Sequence, residues 1–169
     1  MCGRFLATAG PEELSRFFNA RAPDVDLPAR YNIAPTNDVY AVIEPKAGDR
    51  RLGVFRWGLV PSWAKDTRIA SSLANARSET IADKPAFRTS FRRHRCLIPM
   101  AGFYEWSGTV DDPRTGRPKK QPYLISALDA PILAAAGVWS AWREPNAADA
   151  PWLHTCTIIT TDANATLAP

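Results

Sequence analysis

Residues 39–57 read Val39-Tyr40-Ala41-Val42-Ile43-Glu44-Pro45-Lys46-Ala47-Gly48-Asp49-Arg50-Arg51-Leu52-Gly53-Val54-Phe55-Arg56-Trp57. Two alternating runs, Val39 to Glu44 and Arg51 to Trp57, flank Pro45-Lys46-Ala47-Gly48-Asp49, whose proline and glycine interrupt the extended pattern. The stretch predicts a β-hairpin with a loose turn. Before it, Pro11 suits the first turn of a helix, with Glu12 and Glu13 complementing the dipole and Leu14, Phe17 and Phe18 facing inward. After it, Gly58 to Ser72 reads as loop and Ser78 to Asp83 as a short helix. Further strands are expected at Cys96 to Met100, Phe103 to Trp106, Tyr123 to Ala127, Ile132 to Trp139 and His154 to Thr161. The polar segment Gly108 to Gln121, with Pro113, Gly116 and Pro118, reads as a flexible tip within the domain. Strands dominate, so the expected fold is α+β with a largely antiparallel, β-barrel-like core and covering helices.

The chain has 169 residues, 46% apolar against 22% charged, enough for one domain over residues 1–169 with a real core. No basic stretch precedes an apolar run at the amino terminus and no apolar stretch is long enough to span a membrane, which predicts a cytoplasmic protein. Three cysteines, Cys2, Cys96 and Cys156, are an odd number without a C-x-x-C pair, so neither a disulfide framework nor a zinc site is expected and the thiols should be reduced. The two histidines, His94 and His154, stand about sixty residues apart with no carboxylate cluster, a poor ligand set for a metal hydrolase. No cofactor is implied. A net charge of +4 and a pI near 9.2 favour a polyanionic partner. Fifteen prolines against nine glycines predict many rigid loops between short elements.

Cys2 carries the most chemistry. Methionine before a small side chain is commonly trimmed, and removal of Met1 would leave a free α-amine and a thiol on adjacent carbons. An α-amine with a pKa of roughly 7.7–8.0 is partly neutral at physiological pH, so it can attack an aldehyde to give an imine, and the thiol can then close a thiazolidine. No internal cysteine can do this. Position alone also suits Cys2 to a buried place in a first strand.

Six motifs lie in order along the chain after Met1-Cys2-Gly3-Arg4-Phe5: Arg30-Tyr31-Asn32-Ile33-Ala34-Pro35, Trp57-Gly58-Leu59-Val60-Pro61-Ser62-Trp63, Asn75-Ala76-Arg77-Ser78-Glu79-Thr80, Gly102-Phe103-Tyr104-Glu105-Trp106, Lys120-Gln121-Pro122-Tyr123, and Thr157-Ile158-Ile159-Thr160-Thr161. Together they resemble the SOS-response-associated peptidase family, also called abasic-site processing proteins. The resemblance implies an α+β fold around a barrel-like core, binding of single-stranded DNA, and covalent capture of abasic sites by the processed amino terminus. The peptidase of the family name then refers to release of the protein's own initiator methionine, and the capture step to a crosslinking, lyase-type activity.

The resemblance gives Glu105 the acid-base role in methionine release and ring formation, to which an apolar strand setting suits a carboxylate. Asn75, with one acceptor and one donor, suits holding the α-amine or the sugar remnant. Arg4 and Arg77 carry forks that match phosphate oxygens. Trp63 and Pro61 sit in a loop where they could wedge or stack against bases beside the lesion, whereas Trp57 on a strand is better placed for the core. The run Lys84, Arg88, Arg92, Arg93, His94 and Arg95 fits either a phosphate track or a solvated face.

Family members carry an Ile-His pair shortly after the Thr-Thr-x-Ala-Asn stretch, and here its place falls just past Pro169. The expectation is a chain truncated at its carboxy terminus, with steps that need that histidine slowed; neither His94 nor His154 occupies its place in the motif. Two other readings share some of these residues. Amidotransferases of the amino-terminal nucleophile type also begin Met-Cys-Gly, and a single-stranded DNA-binding module without chemistry needs only the basic and aromatic residues. A monomer is expected.

Overall fold

The hairpin forms where the alternation places it. The structure, a computed structural model, describes residues 3–145, 147 and 149–165. Its first half contains β1 (Arg4–Ala7), α1 (Pro11–Phe18), β2 (Arg30–Ile33), β3 (Asp38–Ile43), β4 (Arg51–Trp57) and β5 (Asn75–Arg77). Its second half contains α2 (Arg88–Arg93), β6 (Arg95–Met100), β7 (Gly102–Asp111), β8 (Pro118–Ile125), β9 (Leu133–Trp142) and β10 (Leu153–Thr160). A 3-10 helix at Arg68–Leu73 ends what reads in sequence as plain loop.

β3 and β4 pair antiparallel, with Val39 opposite Phe55 and Val42 opposite Leu52. Successive side chains point to opposite faces, so Val39, Ala41, Phe55 and Trp57 enter one core while Tyr40, Val42 and Leu52 enter another under α1. Both faces are covered, hence the run of buried residues along β3. On α1, Leu14 and Phe18, one turn apart, meet that second cluster. Phe17 does not: it lies 100° round the helix, is 53% exposed, and meets Phe18 edge-on at 4.9 Å between ring centroids.

The barrel closes with five strands. Order β4-β3-β6-β9-β10 runs through antiparallel neighbours, and β10 returns to β4 in parallel, Cys156 beside Trp57. Beyond Trp57, β10 continues in parallel with β5, so Ile158 meets Asn75 and Thr160 meets Arg77. The fold is thus mostly β, a closed barrel with a few helices, but its closing seam is parallel. A separate antiparallel sheet, β2-β1-β7-β8, lies across one end.

Trp57 joins the two layers. It is fully buried; its indole N–H donates to the Ala74 carbonyl at 2.8 Å and its ring meets Phe5 of β1 edge-on at 5.0 Å. Its backbone is held as tightly. Trp57 N–H donates to Asn37 O at 2.8 Å, and Thr36 N–H donates to Trp57 O at 2.6 Å from a β-branched residue at φ 76°, a conformation that needs such support.

Two segments depart from the sequence expectation. Ser78–Asp83 is a series of turns, not a helix: Thr80 N–H bonds Arg77 O at 3.1 Å and Lys84 N–H bonds Thr80 O at 3.1 Å, but Pro85 lacks the donor to continue. The helix forms after it, as α2. Gly108–Gln121 is not a free tip. β7 and β8 extend through most of it as a two-stranded ribbon, with a register shift between Ser107 and Val110 where Gly108 takes φ 63°. Among the described residues no helix is long and apolar enough to cross a membrane.

Replacing Trp57 with alanine removes both the inter-layer contact and a buried hydrogen bond. A loss of about 3–5 kcal/mol is expected, read as a lower urea midpoint, against a change several times smaller for Phe17→Ala.

Candidate active site

β1 and β7 pair with Arg4 opposite Tyr104, Phe5 opposite Phe103 and Leu6 opposite Gly102. The same register continued by one residue sets Gly3 level with Glu105. Alternation puts Phe103 and Glu105 on the face of β7 shared with Phe5, toward the barrel, and Tyr104 and Trp106 on the other. Glu105 is half-buried there, with Tyr123 of β8 as its cross-strand neighbour. Cys2 itself lies outside the described residues.

Asn75 reaches this end of the barrel by a different route. The residue before it, Ala74, accepts the Trp57 indole N–H, and its carbonyl also takes the Ile158 N–H at 3.0 Å. Phe5, Trp57 and Ala74 therefore form a buried contact chain from β1, the sheet neighbour of the strand that carries Glu105, to the start of the strand that carries Asn75. Arg77, two residues along β5, is half-exposed, with Nη1 3.7 Å from the Asp162 carboxylate.

Arg4 stands on the opposite, outer face of its sheet, and its Nη1 donates to Asn32 Oδ1 at 2.9 Å. The Tyr104 hydroxyl donates to Tyr31 O at 2.9 Å, so the β2 motif is tied to β1 and β7 by side chains as well as by strand pairing. Neither bond is evident from the sequence. Asn32 and Tyr104 both lie inside recognised motifs, but nothing in their spacing pairs them with Arg4 or Tyr31.

The loop after β4 is fastened at three points. Gly58, at φ 127°, donates to Cys156 O at 2.8 Å, and a side chain there would meet Ala70 O at 2.5 Å, so only glycine fits. Val60 N–H donates to the buried Thr155 hydroxyl at 2.9 Å, and the Trp142 indole donates to Ala64 O at 2.8 Å. Pro61 is buried by this anchoring and offers no surface for stacking. Trp63 is lifted out and is 61% exposed.

The family model described as SOS response associated peptidase matches residues 1–169. The chain belongs to that family. It is 38% identical over 166 residues to the abasic site processing protein YoqW of Bacillus subtilis (strain 168), covering 97% of this chain and 70% of that protein. It is 27% identical over 208 residues to the abasic site processing protein HMCES of Xenopus tropicalis, covering 99% and 59%. The fold is that of a crystal structure from Bacteroides thetaiotaomicron, with a TM-score of 0.81 and 27% identity over 98% of this chain and 70% of the other. A Bordetella bronchiseptica structure gives 0.74, with 27% identity over 97% and 74%.

In this member of the SOS response associated peptidase family the internal thiols are silenced by packing. Burial pushes the Cys96 thiol up to about 12, and Cys156, within the barrel, is raised well above the ordinary value by burial and by Cys96. Neither is a thiolate at neutral pH. His94 and His154 both have their pKa lowered by burial, His94 also by Arg93, and both belong to an aromatic cluster on Trp139 and Phe55. Among the described residues no three His, Cys, Asp or Glu side chains converge as a metal site would require. In the basic run, Lys84, Arg88, Arg92, Arg93 and Arg95 are exposed, while Phe87 and Ser90 point inward.

Native protein treated with iodoacetamide at pH 8 is expected to carry no label on Cys96 or Cys156 in peptide mass spectra. Both should label once urea opens the barrel.

Proposed function

We propose that this chain binds single-stranded DNA and that Cys2, once Met1 is removed, captures an abasic-site aldehyde as a thiazolidine. The observation that carries the reading is the β1–β7 register, which brings the chain next to Cys2 level with Glu105. Membership of the family and the names of the relatives, abasic site processing proteins, agree with it.

The chemistry balances within the two partners. The neutral α-amine attacks the aldehyde carbon of the opened sugar, and the carbinolamine loses one water to become an imine. The Cys2 sulfur then adds to the imine carbon, its proton ends on the nitrogen, and the five-membered ring closes. Glu105 is the proton carrier for carbinolamine loss and ring closure, and for the water that cleaves the Met1–Cys2 bond where the protein performs that step itself. Asn75 holds the amine or the sugar oxygen in reacting geometry. Arg4 and Arg77 hold phosphates, and the exposed Trp63 stacks on a base next to the lesion.

Denaturing gels with single-stranded DNA bearing one abasic site provide the test. The expected result is a shifted band that needs both Cys2 and the lesion. Its intact mass should equal protein less methionine, plus oligonucleotide, less one water. Glu105→Gln should slow its appearance by about 10²- to 10⁴-fold. A band of the same strength and stability with Cys2→Ala overturns the thiazolidine reading. Lesion-independent binding without adduct and with Met1 retained would leave a plain DNA-binding module, and ammonia release from glutamine would point to an amidotransferase.

A further inference from the structure

A cleft of about 770 Å³ opens at the start of β6, between the β3–β4 turn and the end of α2. It is remote from Glu105 and Arg4. Their sheet joins the other end of β6, where Ala101 N–H donates to Leu6 O at 2.8 Å; Cys96 to Ala101 is roughly 17 Å of extended chain. Its lining includes Ile43, the Trp139 ring with His94 stacked on it at 4.6 Å, and Leu97, which is exposed on the other face of β6.

The rim is cationic. Arg50, Arg93 and Arg95 line it, and the only carboxylate among the lining residues, Glu44, is engaged by Arg50 Nε at 3.4 Å and by Gly48 N–H at 2.9 Å. Those hydrogen bonds hold the Glu44 carboxyl below its usual range, so it stays ionised and committed to Arg50. Among the described residues Arg93 and Arg95 have no carboxylate partner. Two uncompensated guanidinium groups in one cleft with apolar and aromatic side chains suit a ligand that joins a phosphate to a flat, weakly polar ring, and the volume lies within the range of small-molecule sites.

We propose that this cleft is a second nucleotide-binding site, which takes one unpaired nucleotide either free or as part of a strand. It does not depend on the chemistry at Cys2.

Fluorescence anisotropy with a labelled, lesion-free oligothymidylate, across a salt series, tests the site. Arg93→Ala/Arg95→Ala should weaken binding about tenfold and reduce the salt slope by about 1.4, the value for two lost phosphate contacts on a single strand. Arg88→Ala/Arg92→Ala removes the same charge from exposed positions outside the cleft and should leave binding within about twofold. Equal effects of the two double variants, or no effect of the first, overturn the proposal. Competition by thymidine monophosphate, lost in the first variant, would support the site with a free nucleotide as ligand; strand binding without such competition would support it with DNA alone. Adduct formation on a saturating abasic oligonucleotide should be unchanged in the first variant, so failure of the Cys2 reading and failure of the cleft are separately visible.

Discussion

The end of the barrel that holds Glu105 and Asn75 depends on the burial of one indole. Trp57 lies where β4 meets β10, where the β1 sheet rests on the barrel, and where β5 begins. A ring that large in a close-packed interior admits few arrangements, because any tilt loses contacts on one side and its N–H partner on the other. Ala74 O, Asn37 O and Thr36 N–H leave the residue one position. The strands that carry Glu105 and Asn75 are thereby set relative to each other without touching in sequence or in sheet.

The barrel also sorts the chemistry of the sulfur atoms. Cys96 and Cys156 lie in the same core cluster as Phe5 and Trp57, where burial disfavours the charged thiolate. An aldehyde entering at the Glu105 end meets no second nucleophilic sulfur from the core. The proposed reaction therefore needs no protecting device beyond packing, and the polar groups of the site stand on strands and not on loose loops. The Trp63 loop is the exception, fastened by three hydrogen bonds while its ring stays in solvent.

Much of the fold can be read from local pattern. The hairpin of β3 and β4, the start of α1 at Pro11 and the later strands follow from alternation and from proline, which act within a few residues. The helix expected at Ser78–Asp83 failed because Pro85 stops the turn just as it would propagate, and the ribbon of β7 and β8 was hidden because its strands are polar on both faces and carry no alternation. The parallel seam was hidden for another reason: pairing of Cys156 with Trp57 is decided by the closure of the whole barrel, which no window of sequence contains. In the candidate site, Glu105, Asn75 and Cys2 are singled out by their motifs alone, with Cys2 outside the described residues, while the Arg4–Asn32 bond and the burial of Pro61 depend on how separate elements meet.

That seam has a consequence for the protein while it is being made. Val60 and Thr155, bonded across it, stand 95 residues apart. At translation rates of 5–20 residues per second, an interval on the order of 5 to 20 s passes between the appearance of one and the other. Throughout it β4 and β5 wait with open edges, and contacts between distant parts of the chain are the slow ones to form. The amino terminus leaves the ribosome first, but β5, which carries Asn75, gains its strand partner only when β10 arrives. Glu105 and Asn75 thus come into their final relation only after β10 has been made.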